Sequence, residues 1–359
     1  MVLARQGFGE AADATDADVL IRRVGPPGLC STPVPGNPRW AFAITHAIRE
    51  FRPDLVMVRD LPLALPAALR ARRSGIPVIM DMAEHYPEAM RSWGKYAASP
   101  LARFLVHDLR IPDYLEARVV RLVDGIVVVC DENAERLRDS GVDHARLVVV
   151  RNTPEAAFRS AVAATPLEQR QNPTRFGYLG HLAEDRQLET ILVGFDLAAS
   201  RNPSITLLIA GGGESEHNLR AIAAGLNSRD RIRFTGRYRL EDQATLYAGI
   251  DFGIVSLRRN VFTEHTLGNK FFDYPALGKP FIYPNLPPLC RVMSEMGCGV
   301  SFEAGSAESA AAAILAILDA DYSAMSAAGR AAISREFNWE VDSARLTEFV
   351  DRISATVNR

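Results

Sequence analysis

Residues 264–280, EHTLGNKFFDYPALGKP, crowd more polar chemistry together than any other stretch of this chain. Two acids, Glu264 and Asp273, stand nine residues apart, with Lys270 between them. Thr266, Leu267, Gly268 and Asn269 read as a helix start. A helix beginning near Thr266 turns free N–H groups and the positive end of its dipole outward, which makes a site for an anion. Gly268, without a Cβ, lets the backbone approach such a ligand closely. The plainer alternative is an acid favoured by the dipole in a first helical turn, with Lys270 as its exposed neighbour.

Other stretches offer chemistry of their own. MDMAEHYPEAM (80–90) sets Asp81, Glu84 and His85 at the end of a strand-like run, where open α/β sheets place ligands; Glu84 and His85 also suit the capping of the next helix. Gly211-Gly212-Gly213 follows another strand and either borders a cleft or makes a tight turn. It is not GxGxxG, which argues against a nicotinamide site. RSWGKYAASPLARFLVHDLRIPDYLEARVVRLVD (91–124) interleaves Arg91, Lys95, Arg103, Arg110, Arg118 and Arg121 with Trp93, Tyr96 and Phe104. Such a face suits an anionic lipid surface or is simply amphipathic. The four cysteines, Cys30, Cys130, Cys290 and Cys298, form no CxxC pair, so reduced thiols are expected.

These side chains need a scaffold, and the bulk numbers describe one. The 359 residues carry a net charge of −2, with 23% charged and 48% apolar residues, an ordinary globular balance that gives no case for nucleic-acid binding. The length suits two α/β domains. No apolar run approaches the roughly 20 residues that span a bilayer. Short β-branched runs alternate with helical stretches. Strands are predicted at 18–24, 55–58, 78–81, 125–129 and 147–150, then at 175–179, 206–210, 232–235, 252–256, 280–283 and 299–302. Continuous apolar strands separated by helices predict parallel sheets covered on both faces. The series breaks at 156–174, which has no strand period and holds Pro166 and Pro173; it is expected to be an interdomain linker. Helices are predicted at 307–318, 323–336 and 341–357. MVLARQ before Gly7 reads as the tail of a helix with a glycine C-cap, so the first domain is expected to lack its first strand and loop, about 20 to 30 residues of the usual doubly wound opening.

In this order the pieces resemble the family-4 glycosyltransferases, retaining enzymes of the GT-B fold that use nucleotide-sugars. The resemblance covers nearly the whole chain and is strongest in its second half. RFGYLGHLAEDRQLETILVGF (175–195), ITLLIAGGGE (205–214) and IRFTGRYRLEDQATLYAGIDFGIVSL (232–257) follow one another as in that family. NKFFDYPALGKPFIYP (269–284) is similar to its K-x-x-E-Y-x-A-x-G-K-P helix and strand, and residues 52–90 look like the acceptor-domain core.

The resemblance implies roles. Gly180, His181 and Arg186 fall where the family carries a glycine and two basic residues toward the donor pyrophosphate, His181 replacing arginine and Arg186 replacing lysine. Thr266, Leu267, Gly268, Asn269 and Lys270 would lie against the diphosphate, and Asp273 would hold the ribose. Glu264 resembles the acid that holds the donor sugar. The family's usual acid spacing, counted back from Asp273, lands on His265 instead, so the sugar contact is either of the two. Gly236, Arg237 and Tyr238 fall at the base pocket. Ala83 stands where members often have a histidine, leaving Asp81, Glu84 or His85 for the acceptor side. Residues 335–353 resemble the helix that crosses back to the first domain, with Trp339 anchoring it at the junction or packing in the second core.

The expected architecture is α/β: an acceptor domain at 1–155, the linker at 156–174, a nucleotide-sugar domain at 175–335 and a returning helix at 336–359. The resemblance implies retaining, metal-independent transfer, without any cofactor, to a glycan or polyprenyl-linked acceptor. It also implies a cytoplasmic protein in bacterial cell-envelope polysaccharide assembly, with peripheral contact at the inner membrane face. Two other readings stay open. One is a nucleotide-sugar epimerase or hydrolase on the same fold. The other is a non-catalytic partner subunit that keeps the nucleotide site, to which Ala83 and the short start both point.

Overall fold

Two series of apolar strands give two sets of sheets in the computed structural model, which describes residues 1–5, 13–16, 19–25, 32–97, 99–163 and 174–357. The chain divides into two compact units, Met1–Val150 with Arg345–Arg359, and Arg151–Ala344.

In the first unit, β1 (Val2–Arg5), β2 (Asp13–Asp16) and β3 (Val19–Val24) form a small sheet of order β1-β3-β2. Residues 2–5 are therefore a strand and not the tail of a helix. So few residues cannot offset the cost of helix nucleation, whereas parallel pairing with β3, Val2 opposite Ile21, gives their backbone groups partners. Strand β2, DATD, has no apolar alternation to announce it. It is held by antiparallel pairing with β3, and Asp13 opposite Arg22 adds an ion pair at 3.8 Å. The second sheet of this unit is parallel, in the order β4 (Val56–Arg59), β5 (Val78–Met82), β6 (Gly125–Val128) and β7 (Leu147–Val149). Ile44, Ile48, Leu61, Ala64, Ala68 and Val119 pack from helices onto one face of it. Phe349 and Ile353 of the final helix, Trp339–Val357, cover Ile79 and Val127 on the other. Gly125 is glycine because a Cβ there would meet the Phe349 ring.

The second unit holds six parallel strands, β8 (Arg175–Leu179), β9 (Thr206–Ala210), β10 (Ile232–Gly236), β11 (Phe252–Ile254), β12 (Phe281–Pro284) and β13 (Gly299–Phe302). Their order is β10-β9-β8-β11-β12-β13, the dinucleotide-fold order, and it reverses between β8 and β11. Sheets of this kind bind ligands in the crevice at that reversal, beyond the carboxyl ends of the strands. Helix Leu188–Arg201 buries Ile191, Leu192 and Phe195 on the sheet, and helix Ala307–Asp319 adds Ile314 and Ile317.

Two expectations for this unit change. The stretch expected as a linker starts with a helix, Ala156–Ala163, whose Phe158 meets Tyr247 edge-on at 6.2 Å; residues 164–173 lie outside the described residues. AAFRSAVA lacks a strand period but is rich in alanine, the best helix former. Trp339 is 39% exposed and is no core residue. The buried aromatic there is Phe337, stacked on Phe272 at 5.8 Å and capped by the Arg151 guanidinium.

Candidate active site

The crevice between β8 and β11 is fixed by one phenol. Tyr274 is fully buried; its hydroxyl lies 3.2 Å from the carbonyls of Gly177 and Ile254 and accepts from the Leu179 amide at 3.3 Å. It thus bridges the two strands at the point of reversal. A Cβ on Gly253 would strike its ring. The helix Lys270–Ala276 is held on the sheet by this contact, which places Asp273, one residue earlier, at the crevice.

The loop after β8 is locked from behind. The Gly180 amide donates to Ala210 at 2.9 Å, the Leu182 amide to Gly212 at 3.1 Å, and the Ser215 amide to Leu182 at 3.0 Å. The two loops cross backbone against backbone, and this is what the glycine triplet is for. Gly211 has φ of 143°, and a side chain there would collide with the Gly180 carbonyl; one on Gly213 would collide with Leu182. One on Gly212 would meet the Arg237 side chain, so the triplet also backs the loop after β10. Beyond the crossing, Glu184–Arg186 forms a turn of 3-10 helix, and Gln187 takes φ of 47° before the helix Leu188–Arg201. Arg186 is half-buried, its Nε 3.5 Å from Asp185. It lies close enough to Tyr178 to oppose the burial that pushes that phenol up to about 12. His181 is exposed, with Nε2 3.6 Å from Glu214, and its carbonyl accepts from the Tyr178 hydroxyl at 2.9 Å.

Opposite stands the segment with the two acids. Thr263–His265 is a turn of 3-10 helix, Thr266 is extended, and the helix begins at Lys270. The helix thus starts four residues later than the expected Thr266, because the Gly268 carbonyl is the first to accept a helix-type bond, from Phe271. The 266–270 segment keeps donors at the surface, Gly268 and Asn269 being exposed and Thr266 and Lys270 half-buried, while Leu267 is buried. Among the described residues, none of the five amides from Thr266 to Lys270 donates a hydrogen bond. The loop is held from its other side: the Asn152 side-chain amide donates to the Leu267 carbonyl at 3.0 Å. Since Leu267 C=O and Gly268 N–H belong to one rigid peptide, anchoring the first aims the second.

Asp273 is buried, and both its contacts fall on Oδ2. Tyr247 donates to it at 3.1 Å and Lys270 at 3.1 Å, and Lys270 also donates to the Tyr247 hydroxyl at 3.2 Å. Burial pushes the Asp273 carboxyl above the usual range, and the Lys270 ammonium only partly offsets it. The Tyr238 phenol, half-buried after β10, is raised by burial and then by the Asp273 charge. Arg186, Tyr178, Tyr238, Tyr247, Lys270 and Asp273 therefore form one electrostatic group at the carboxyl ends of β8, β10 and β11. Gly236 takes φ of 71° and Arg237 projects into solvent beside this group. Glu264 is half-buried, 3.8 Å from Arg259, while the His265 Nδ1 donates to the Val261 carbonyl at 2.7 Å.

In the first unit, the carboxyl ends of β4 and β5 gather a second polar group. Asp81 accepts from Arg59 at 2.9 Å. Asp60, which sequence reasoning missed, has φ of 63° and ψ of 167°, a conformation that costs a non-glycine residue of order 1–3 kcal/mol and persists where the surroundings impose it. Its Oδ1 is buried without a partner among the described residues, and burial raises its carboxyl. His85 is buried, 3.9 Å from Glu116, which Arg136 holds at 2.6 Å.

Known protein families cover most of the chain. Two family models match it in series, one for a glycosyl transferase 4-like domain over residues 1–153 and one for glycosyl transferases group 1 over residues 173–320. The chain is a family-4 glycosyltransferase. An alpha-monoglucosyldiacylglycerol synthase of Streptococcus pneumoniae is 25% identical over 124 residues, 34% of this chain and 27% of that one, so the match spans only about a quarter of the relative's length. Solved structures agree on the GT-B fold. Sucrose-phosphate synthase of Thermosynechococcus elongatus has a TM-score of 0.74 at 17% identity, covering 98% of this glycosyltransferase and 88% of that chain. Anabaena Alr3699/HepE in complex with UDP has a TM-score of 0.70 at 14% identity, covering 88% and 82%.

Proposed function

We propose that this glycosyltransferase takes its sugar from a nucleotide-sugar held by the second unit. It passes the sugar, with retention of configuration and without a metal, to a glycan or lipid-linked acceptor held by the first. The observation that carries this reading is the run of five free amides, 266–270, beside the Lys270–Tyr247–Asp273 cluster and within one electrostatic group with Arg186. Breaking the sugar–phosphate bond leaves charge on the departing diphosphate, and preorganised amide dipoles and cations stabilise it. Arg186 and the amides of Thr266, Leu267, Gly268, Asn269 and Lys270 supply that stabilisation, and His181 adds charge when protonated. Among the described residues no donor meets Asp273 Oδ1, and this oxygen accepts from the ribose. Glu264, less committed than His265, accepts from hydroxyls of the sugar. Gly236, Arg237 and Tyr238 flank the base.

On the acceptor side Asp60, Asp81 and His85 are the polar groups offered. Anabaena HepE has been solved with UDP and with UDP-glucose, so uridine donors come first in a thermal-shift survey across uridine, guanosine and adenosine diphosphosugars. One of them raises the melting temperature by mass action; failure of all three would contradict the donor assignment. Assay without acceptor separates transfer from hydrolysis.

A further inference from the structure

Two adjacent arginines tie the loop after β11 in opposite directions. The Arg258 amide donates to the Asp185 carbonyl at 2.8 Å, which fastens the loop to the segment that carries Arg186. Arg259 reaches the other way, across the carboxyl ends of β12 and β13. Its Nη2 donates to the Asn285 carbonyl and also to Asn285 Oδ1, the latter at 3.1 Å. Asn285 is itself fixed. Its amide donates to the Phe302 carbonyl at 2.7 Å, and its Oδ1 also accepts from the Ala304 amide at 3.1 Å. From that anchor the Arg259 Nε stands 3.8 Å from Glu264 Oε1.

The fold does not need this ion pair. Its two side chains are 48% and 31% exposed, and pairs so open to water add little stability. The backbone at Glu264 is set by other contacts. The Thr263 amide donates to Asn260 Oδ1 at 2.9 Å and the Asn260 amide to Thr263 Oγ1 at 3.0 Å. Thr263 is fully buried and donates its hydroxyl to the Arg258 carbonyl at 2.7 Å, while the Glu264 amide donates to the Asn260 carbonyl at 3.0 Å. What Arg259 governs is therefore where the Glu264 carboxylate points. At 3.8 Å the attraction is electrostatic and not a direct hydrogen bond, so both carboxylate oxygens keep lone pairs for another donor.

We propose that Arg259 is a positioning residue for the donor sugar: braced on Asn285, it holds the Glu264 carboxylate toward a sugar hydroxyl. This rests on the reading of Glu264 as the sugar contact. Recognition of the sugar is then set at the ends of β11, β12 and β13, apart from the nucleotide contacts of Asp273 and the loop after β10. A carboxylate already held in place meets the hydroxyl without first losing its rotamer freedom, so more of the hydrogen bond appears as affinity. Arginine suits the task because separate donors on one rigid plane face Asn285 and Glu264 at once. A lysine ammonium is a point charge that can attract Glu264 but cannot span the two.

The test is calorimetric titration of the full chain with UDP and with UDP-glucose, and with the corresponding guanosine and adenosine pairs. Each pair separates the nucleotide from the sugar. Arg259→Ala should weaken the diphosphosugar about five- to tenfold and leave the bare diphosphate unchanged. Glu264→Ala should do the same, and the double variant should bind no worse than Glu264→Ala alone, because Arg259 acts through Glu264. Arg259→Lys should recover only part of the loss. Neither side chain is buried, so an unchanged melting temperature confirms that each variant is folded. An Arg259→Ala variant that binds the diphosphosugar like the parent would overturn the proposal. So would equal losses for diphosphate and diphosphosugar, or losses that add in the double variant. A parent that binds none of the six compounds contradicts the donor reading itself, and this inference with it.

Discussion

At the scale of single residues, the donor site rests on one carboxylate with two protein donors on the same oxygen. Removing Asp273 takes away the proposed ribose acceptor and leaves the Lys270 ammonium without its carboxylate. Asp273→Ala is therefore expected to weaken nucleotide-sugar binding by about 1.5–3 kcal/mol, roughly 10- to 100-fold, in calorimetric titration. Tyr247→Phe removes one donor but keeps Lys270 in place, and should cost only a few-fold. Arg186→Ala acts on the departing charge, so it should lower kcat by about 10²–10³, more than it raises KM. Asp273 and Arg186 were donor-site candidates in the sequence because they stand where the family that the chain resembles carries an acid and a basic residue. Apart from Tyr238, the tyrosines were not. Tyr178, Tyr247 and Tyr274 look like ordinary core aromatics until the fold shows that their hydroxyls organise the crevice.

At the scale of elements, the donor loop is aimed from a distance. Asn152 follows the last strand of the first unit and reaches Leu267, 115 residues away in sequence. No local pattern announces such a pairing. Asn152→Ala frees the 267–268 peptide to rotate, so the donor KM should rise about tenfold while the melting temperature moves little, as expected for loss of a hydrogen bond worth about 1–1.5 kcal/mol. A large loss of stability with unchanged KM would contradict this positioning role. The glycine triplet makes the opposite prediction. Gly211→Ala combines a positive φ with a collision against the Gly180 carbonyl, so it should destabilise by several kcal/mol, seen as a shifted denaturation midpoint. The sequence left the triplet open between cleft border and turn. It is a crossing of two loops, and only the sheet order puts those loops together.

At the scale of the whole molecule, the alternation of apolar strands with helices foretold two α/β units because buried parallel strands must read as continuous apolar runs. It missed β1 and β2, which depend on pairing with β3 rather than on an apolar period. The buried charge in the turn that closes the donor segment gives a global prediction. Lys279 is buried, its ammonium donating to the Ile250 carbonyl at 2.8 Å, and burial brings its pKa down to about 8. The unfolded lysine titrates near 10.4, so between about 8 and 10 the unfolded chain holds the extra proton and stability rises with pH. Above about 10 the buried tyrosines, whose pKa values are raised by burial, reverse the trend, because unfolded phenols ionise first. Urea denaturation at pH 7.5, 9 and 10 should show this rise, and Lys279→Met should flatten it. The central claim, that the second unit binds a nucleotide-sugar through Asp273 and the 266–270 amides, is tested most directly by titrating nucleoside diphosphosugars into the full chain and into Asp273→Ala. Saturable binding by the parent and a 10- to 100-fold loss in the variant are predicted. Equal affinity of the two proteins, or no binding by either, would contradict it.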